Sequence, residues 1–294
     1  MNKEIESKLM NPGHYENFPV GSIFLPSRLR APIRAIYAFA RSADDFADEG
    51  DDAAEVRLAK LAAYHAHLYA LERGETVEHP IFKSLAPHIR QFNLPYELFH
   101  DLLSAFEQDC RKNRYAHFGE VMEYCKRSAN PIGRLLLRLY ADHDQKHQAW
   151  SDGICSALQL INFLQDVAVD WRKDRIYLPQ DEMAKFGISE RQIAEGRCDA
   201  LWQQFMKGQI ERARRMLQAG APLGRALPGR IGFEMRLIIL GGERILMQLH
   251  ESRGDMFQQR PKLGWKDWLY MLRRAVYTRP SRTQADAACG GCGH

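Results

Sequence analysis

The stretch 150-WSDGICSALQLINFLQDVAVD-170 decides the fold. Leu, Ile, Phe and Val fall on most sides of a 3.6-residue repeat, which predicts a helix buried nearly all round. Asn162, Gln165, Asp166 and Asp170 interrupt it. Asn162, Asp166 and Asp170 stand at i, i+4 and i+8, one row of oxygens spanning about 12 Å of one helical face. Unpaired carboxylates are costly to bury. They stay ionised in such a helix when divalent cations neutralise them.

A second acidic segment lies upstream, 31-APIRAIYAFARSADDFADE-49. Its apolar face runs through Ile36, Phe39 and Ala43. Asp44 and Asp48 share a face at i, i+4 spacing, with Asp45 and Glu49 turned aside. Like charges at this spacing destabilise a helix, and carboxylates at a helix C-terminus oppose the macrodipole. Alone, the segment reads equally as a solvated helix end. Two such rows facing one hollow suit several Mg²⁺ ions that clamp a diphosphate. Mg²⁺ takes hard oxygen ligands and shares carboxylates with substrate phosphates. Drawing charge off the bridging oxygen lets the C–O bond break to a carbocation. Just beyond the second row, 171-WRKDRIYLP-179 places Arg172, Lys173 and Arg175 where they can meet phosphate oxygens, Arg bidentately. Charge complementation of a helix C-terminus explains Arg172 and Lys173 equally well.

Working outward, the chain reads as helix after helix. Ala53–Arg73, Tyr96–Asp109, Leu201–Leu217 and Glu234–His250 carry leucines and other apolar residues at i, i+3, i+4 spacing. No stretch alternates with period two. Turns fall at 11–13, 49–51, 187, 222–224 and 228–229. The expectation is all-α, with roughly ten helices in one domain over residues 14–278. Residues 1–13 form a flexible N-terminus and 279–294 a disordered tail. That tail ends Cys289-Gly290-Gly291-Cys292-Gly293-His294, a half-site with adventitious metal affinity.

The 294 residues are 45% hydrophobic and 27% charged, ordinary for a globular protein. Lys and Arg number 41 against 37 Asp and Glu, and no basic run is long enough to bind nucleic acid. Met1–Gly13 has no apolar segment of the secretory kind, and Leu237–Leu240 is far too short to span a bilayer. The expected location is cytoplasmic. Lys262–Arg274, KLGWKDWLYMLRR, mixes aromatics with cations. It suits either a helix packed on the domain or peripheral contact with the inner membrane face. Six cysteines are scattered; Cys110, Cys125, Cys155 and Cys198 read as small apolar residues inside helical patterns.

Asp44-Asp45-Phe46-Ala47-Asp48-Glu49, Asn162 to Asp170, and Arg175-Ile176-Tyr177-Leu178-Pro179, in this order, resemble the squalene and phytoene synthases. These are head-to-head isoprenoid synthases. The resemblance covers about Tyr15 to Phe257. It implies an isoprenoid-synthase-type helical domain with a central cavity and Mg²⁺ at its mouth. Asp44, Asp48, Asn162, Asp166 and Asp170 are then the metal ligands, and the four aspartates are catalytic. The resemblance also implies substrate contacts from Ser22, Tyr37, Arg41, Arg114, Tyr124, Arg175 and Tyr177. Farnesyl diphosphate or presqualene diphosphate is the implied substrate. Gln165 stands where Arg is common in the family, and it joins the Ser128-Ala129-Asn130-Pro131 segment and the opening His14 to Val20 as marks of a branch. They resemble the hydroxysqualene synthase branch, in which water traps the rearranged cation. Asn130 and Gln165 are polar groups able to hold that water. Other steps on the same fold, or a non-catalytic helical scaffold, are the competing readings.

Overall fold

The computed structural model describes residues 26–48 and 52–277. Ser22, Glu49, the expected flexible ends and the Cys289/Cys292/His294 tail lie outside them. The described residues form thirteen helices and no strand. In order these are α1 (Ser27–Asp48), α2 (Ala54–Glu72), α3 (Pro80–Phe92), α4 (Tyr96–Asp109), α5 (Phe118–Ser128), α6 (Asn130–Leu139), α7 (Gln145–Arg172), α8 (Gln180–Lys185), α9 (Glu190–Ala194), α10 (Ala200–Gly220), α11 (Leu223–Ala226), α12 (Gly229–Glu251) and α13 (Trp265–Tyr277). The count exceeds ten because α8, α9 and α11 are four to six residues each, too short to show a full apolar period. Cys125 and Cys155 lie in helices as expected, whereas Cys110 follows α4 and Cys198 lies between α9 and α10. All four are free thiols.

α7 is the central element and packs against α5, α6, α10 and α12. Asp144 starts it: Oδ1 accepts from the Lys146 amide at 2.7 Å and the His147 amide at 3.3 Å, satisfying two otherwise unpaired helix donors. Its neighbours come close at glycine. A Cβ on Gly133 of α6 would stand 2.3 Å from Ser151 Oγ and 2.6 Å from Cys155 Sγ. One on Gly220 of α10 would stand 2.5 Å from the Trp150 carbonyl. Glycine therefore sets how tightly α6 and α10 clasp α7. The core runs without a break from Leu29 in α1 to Met256.

α7 ends in a tight turn that matters for the site. Lys173 and Arg175 both donate their amides to the Asp170 carbonyl, at 2.9 Å. Asp174 between them is left-handed, with φ 56°. The chain then runs beside 113–116: the Ile176 amide donates to the Asn113 carbonyl and the Gln180 amide to the Tyr115 carbonyl, each at 2.9 Å. Arg114 and Ile176 form an isolated parallel bridge. α13 packs through Trp268, Met271, Leu272 and Ala275 on Leu237, Phe233 and Leu240 of α12.

Candidate active site

The first acid row ends α1, as the spacing requires. The second lies on the last three turns of α7. What joins them is the turn after α7, which sends two cations back to α1. Lys173 Nζ donates to Asp48 Oδ2 at 2.9 Å, and Arg175 Nη1 donates to Asp48 Oδ1. Arg175 Nη2 also donates to the carbonyls of Ala47 and Asp109, at 3.2 and 3.3 Å. Burial alone would raise the Asp48 carboxyl, but Arg175 and then Lys173 outweigh it and hold it below the usual carboxylate range.

The other acids of the rows are stressed. Burial, followed by the repulsion of Asp48, pushes Asp44 up to about 7, and Arg41 only partly offsets them. Asp170 is raised well above the ordinary value, first by burial, then by the charges of Asp166 and Asp48. The two rows therefore share one electrostatic neighbourhood. Asp170 Oδ2 is buried and has no hydrogen-bond partner among the described residues. The half-buried Asn162 side chain has no hydrogen-bond partner among the described residues either. Asp166 is clasped by Arg260: Nη2 donates to Oδ2 at 3.0 Å, and Nε donates to Oδ1.

Behind the rows sits an acid outside both motifs. Asp109, at the end of α4, is 8% exposed. Its carboxylate accepts from the Tyr124 hydroxyl at 2.7 Å and the Tyr177 hydroxyl at 3.1 Å. Burial is the main cause that pushes it up to about 6; Arg175 and the Tyr124 hydrogen bond pull the other way. Tyr177 stacks on Phe163 of α7, with ring centres 3.8 Å apart. A pocket of about 300 Å³ opens beside this acid, lined by Asp109, Arg57, Arg111, Lys112, Lys173 and Arg175 among others.

The squalene/phytoene synthase model matches residues 11–267. This chain belongs to the squalene/phytoene synthase family. It is similar to a hydroxysqualene synthase of Sinorhizobium fredii, 33% identical over 242 residues covering 80% of this chain and 79% of that protein. It is also similar to a phytoene synthase of Arthrospira platensis, 30% identical over 85% of each chain. Among solved structures it resembles squalene synthase HpnC from Alicyclobacillus acidocaldarius, with TM-score 0.77, 34% identity, and coverage of 85% of this chain and 93% of that one.

Within this family member, several of the expected site residues lie together. Tyr37 and Arg41 lie on α1 ahead of the acids, and Arg41 pairs with Asp45 at 2.8 Å and Asp44 at 3.5 Å. Tyr124, Arg175 and Tyr177 meet at Asp109. Arg114 lies at the turn after α7. It grips Glu190 through Nε and Nη2 at 2.7 and 2.9 Å, and Asp174 Oδ1 at 2.8 Å. It braces the left-handed turn that carries Lys173 and Arg175. Gln165 lies on α7. Its Nε2 donates to the Pro261 carbonyl at 2.9 Å and it is 1% exposed, a tether for the segment that carries Arg260. Asn130 is buried, with Oδ1 accepting from Ser156 Oγ at 2.8 Å.

Asp109 and Arg260 escape the motif reading. Asp109 has a legible signal: it stands three residues after Phe106 and seven after Leu102, so it continues an apolar face where a carboxylate is out of place. Arg260 has none, because its partner is 94 residues away. Among the described residues no three acid, His or Cys side chains converge into a ready-made metal cage. No helix there is long and apolar enough to cross a membrane.

Proposed function

We propose that this chain is a hydroxysqualene synthase. It would ionise presqualene diphosphate with Mg²⁺ and let water capture the rearranged cation. The observation that carries the reading is the pair of acid rows joined through Asp48, with Asp170 Oδ2 buried and without a partner among the described residues. A buried lone carboxylate oxygen beside two like charges is a fit for a divalent cation. The donor set of carboxylates and one amide is hard oxygen, which suits Mg²⁺. A missing cage is no obstacle for an ion that keeps waters and takes ligands from substrate phosphates.

Asp44, Asp48, Asn162, Asp166 and Asp170 would hold the metal. When bound, Mg²⁺ supplies positive charge to the leaving diphosphate. The chain's own cations are already at the site. Arg175 and Lys173 pair with Asp48, and Arg260 pairs with Asp166. Beside metal-bound acids, these guanidinium and ammonium groups would bind diphosphate oxygens and hold them through bond cleavage. Asp109 fixes the hydroxyls of Tyr124 and Tyr177, so the wall next to Arg175 keeps its shape. The kinship with hydroxysqualene synthases supports water as the final nucleophile, and the buried Asn130–Ser156 pair is the polar group best suited to seat it.

The test is purified protein with Mg²⁺ and presqualene diphosphate, with and without NADPH, followed by identification of the lipid. Hydroxysqualene formed without NADPH is the expected product. Squalene that requires NADPH, or a product formed from farnesyl diphosphate alone, would support an earlier or reductive step instead. The kinship with a phytoene synthase makes that the second reading. Absence of any diphosphate release would point to a non-catalytic scaffold. Asn replacing Asp44, Asp48, Asp166 or Asp170 should abolish turnover with the fold kept, and near-normal rates in any two would overturn the metal role.

A further inference from the structure

α13 carries two apolar faces, and only one has a partner. Met271 and Ala275 are fully buried. On the outer side Trp265 is 72% exposed, Leu269 64% and Val276 67%. Positions 265, 269 and 276 fall within about 40° of one another on a helical projection, so they form one stripe. The eight large apolar side chains exposed among the described residues include four on this single helix, the fourth being Tyr270. Exposed apolar side chains are ordinary when scattered and informative when gathered.

The charge beside the stripe is of one sign. Lys266 and Arg273 border it and are exposed, with no ion pair to a described carboxylate. The helix has one acid, Asp267, and it is turned inward at 8% exposure. Arg244 binds it at 2.6 Å, and the Gly264 amide donates to it at 2.9 Å. The outer face thus keeps cations and no carboxylate. Gln248 of α12 holds both the amide and the carbonyl of Lys262, at 3.1 Å each, so the helix start is fixed and the stripe is presented on a rigid element.

We propose that α13 is an interfacial helix that docks the protein on an anionic lipid bilayer. Its Trp265–Leu269–Val276 stripe would enter the headgroup boundary, and Lys266 and Arg273 would meet lipid phosphates. Aromatic and aliphatic residues flanked by Lys and Arg are the composition such helices need. A second copy of the chain is a poorer occupant, because two such faces would oppose cations to cations. The position is also useful. Arg260, which clasps Asp166, lies five residues before Trp265, so the docked helix sits beside the mouth of a site whose lipid substrate and product would come from and go to a bilayer. The docking itself does not depend on which reaction the site runs.

The experiment is co-sedimentation of the full chain with vesicles of phosphatidylcholine alone and of phosphatidylcholine with phosphatidylglycerol. Wild type should pellet with the anionic vesicles and be released by salt. Lys266→Gln/Arg273→Gln should lower the partition coefficient on the anionic vesicles about thirtyfold. Trp265→Ser/Leu269→Ser should abolish pelleting, while Leu201→Ser, which removes an exposed leucine elsewhere, should leave it intact. Light scattering and thermal melting of each variant check mass and fold, and the charge variant tests the idea even if the stripe variant misfolds. Equal pelleting of wild type and both variants would overturn the proposal, as would no pelleting of wild type. A dimer that becomes monomeric in Trp265→Ser/Leu269→Ser would overturn it in favour of a second copy.

Discussion

Asp109→Asn should stabilise the metal-free protein at neutral pH, although it removes two charge-assisted hydrogen bonds. Asp109 is 8% exposed and its carboxyl is pushed from 3.8 to about 6, chiefly by burial. That displacement already contains the favourable pull of Arg175, Tyr124 and Tyr177 and the repulsion of Asp48. About two pKa units at 1.36 kcal/mol each make about 3 kcal/mol, the cost of ionising this buried acid in the folded chain. The sign follows from proton counting. Between pH 4 and 6 the folded protein holds a proton here that the unfolded chain has released, so this group's contribution to stability falls as pH rises across that window. Asn stays neutral and can still accept and donate toward both tyrosines. The variant should therefore match wild type near pH 4 and exceed it by about 2–3 kcal/mol above pH 6. Urea denaturation in EDTA from pH 4 to 8 measures the difference. A gap that is constant with pH, or a variant less stable at pH 7, would show that Asp109 is better compensated than its surroundings suggest. Its activity is a separate readout: with the tyrosines less firmly held, turnover should fall while the fold becomes more stable, a trade expected of site residues.

Three further outcomes follow from the same geometry. Arg260→Ala leaves Asp166, itself 17% exposed, without its guanidinium; loss of about 2–3 kcal/mol in EDTA is expected, with a larger Mg²⁺-induced rise in melting temperature than in wild type, and equal rises would count against Arg260 standing in for metal charge. At Asp174, φ 56° favours glycine, so Asp174→Ala should be about 1 kcal/mol less stable than Asp174→Gly, and both should weaken diphosphate binding by loosening the turn that aims Lys173 and Arg175; equal stability of the two would mean the turn relaxes. Because the Asp44 carboxyl is pushed up to about 7, Mg²⁺ must displace a proton there below that pH; affinity should rise from pH 6 to 8, with proton release seen by calorimetry in buffers of different ionisation enthalpy, and pH-independent affinity would exclude Asp44 as a ligand.

What the sequence by itself determined is what neighbours along a helix decide. The 3.6-residue repeat is local, so the apolar faces of α1, α4, α7, α10 and α12 and the i, i+4 rows at Asp44/Asp48 and Asn162/Asp166/Asp170 were legible before any folding was known. Even Asp109 betrayed itself by standing on an apolar face. The tertiary structure decided the partners. Asp48 meets Arg175 across 127 positions, and Asp166 meets Arg260 across 94. No periodicity encodes such pairs, because they depend on how a left-handed residue at 174 turns the chain and how Gln165 tethers Pro261. The same holds for Arg114 and Gln165, whose hydrogen bonds go to Asp174, Glu190 and the Pro261 carbonyl. Residue type and helical phase fix what a side chain can do, and the distant groups that folding brings within about 3 Å fix what it does.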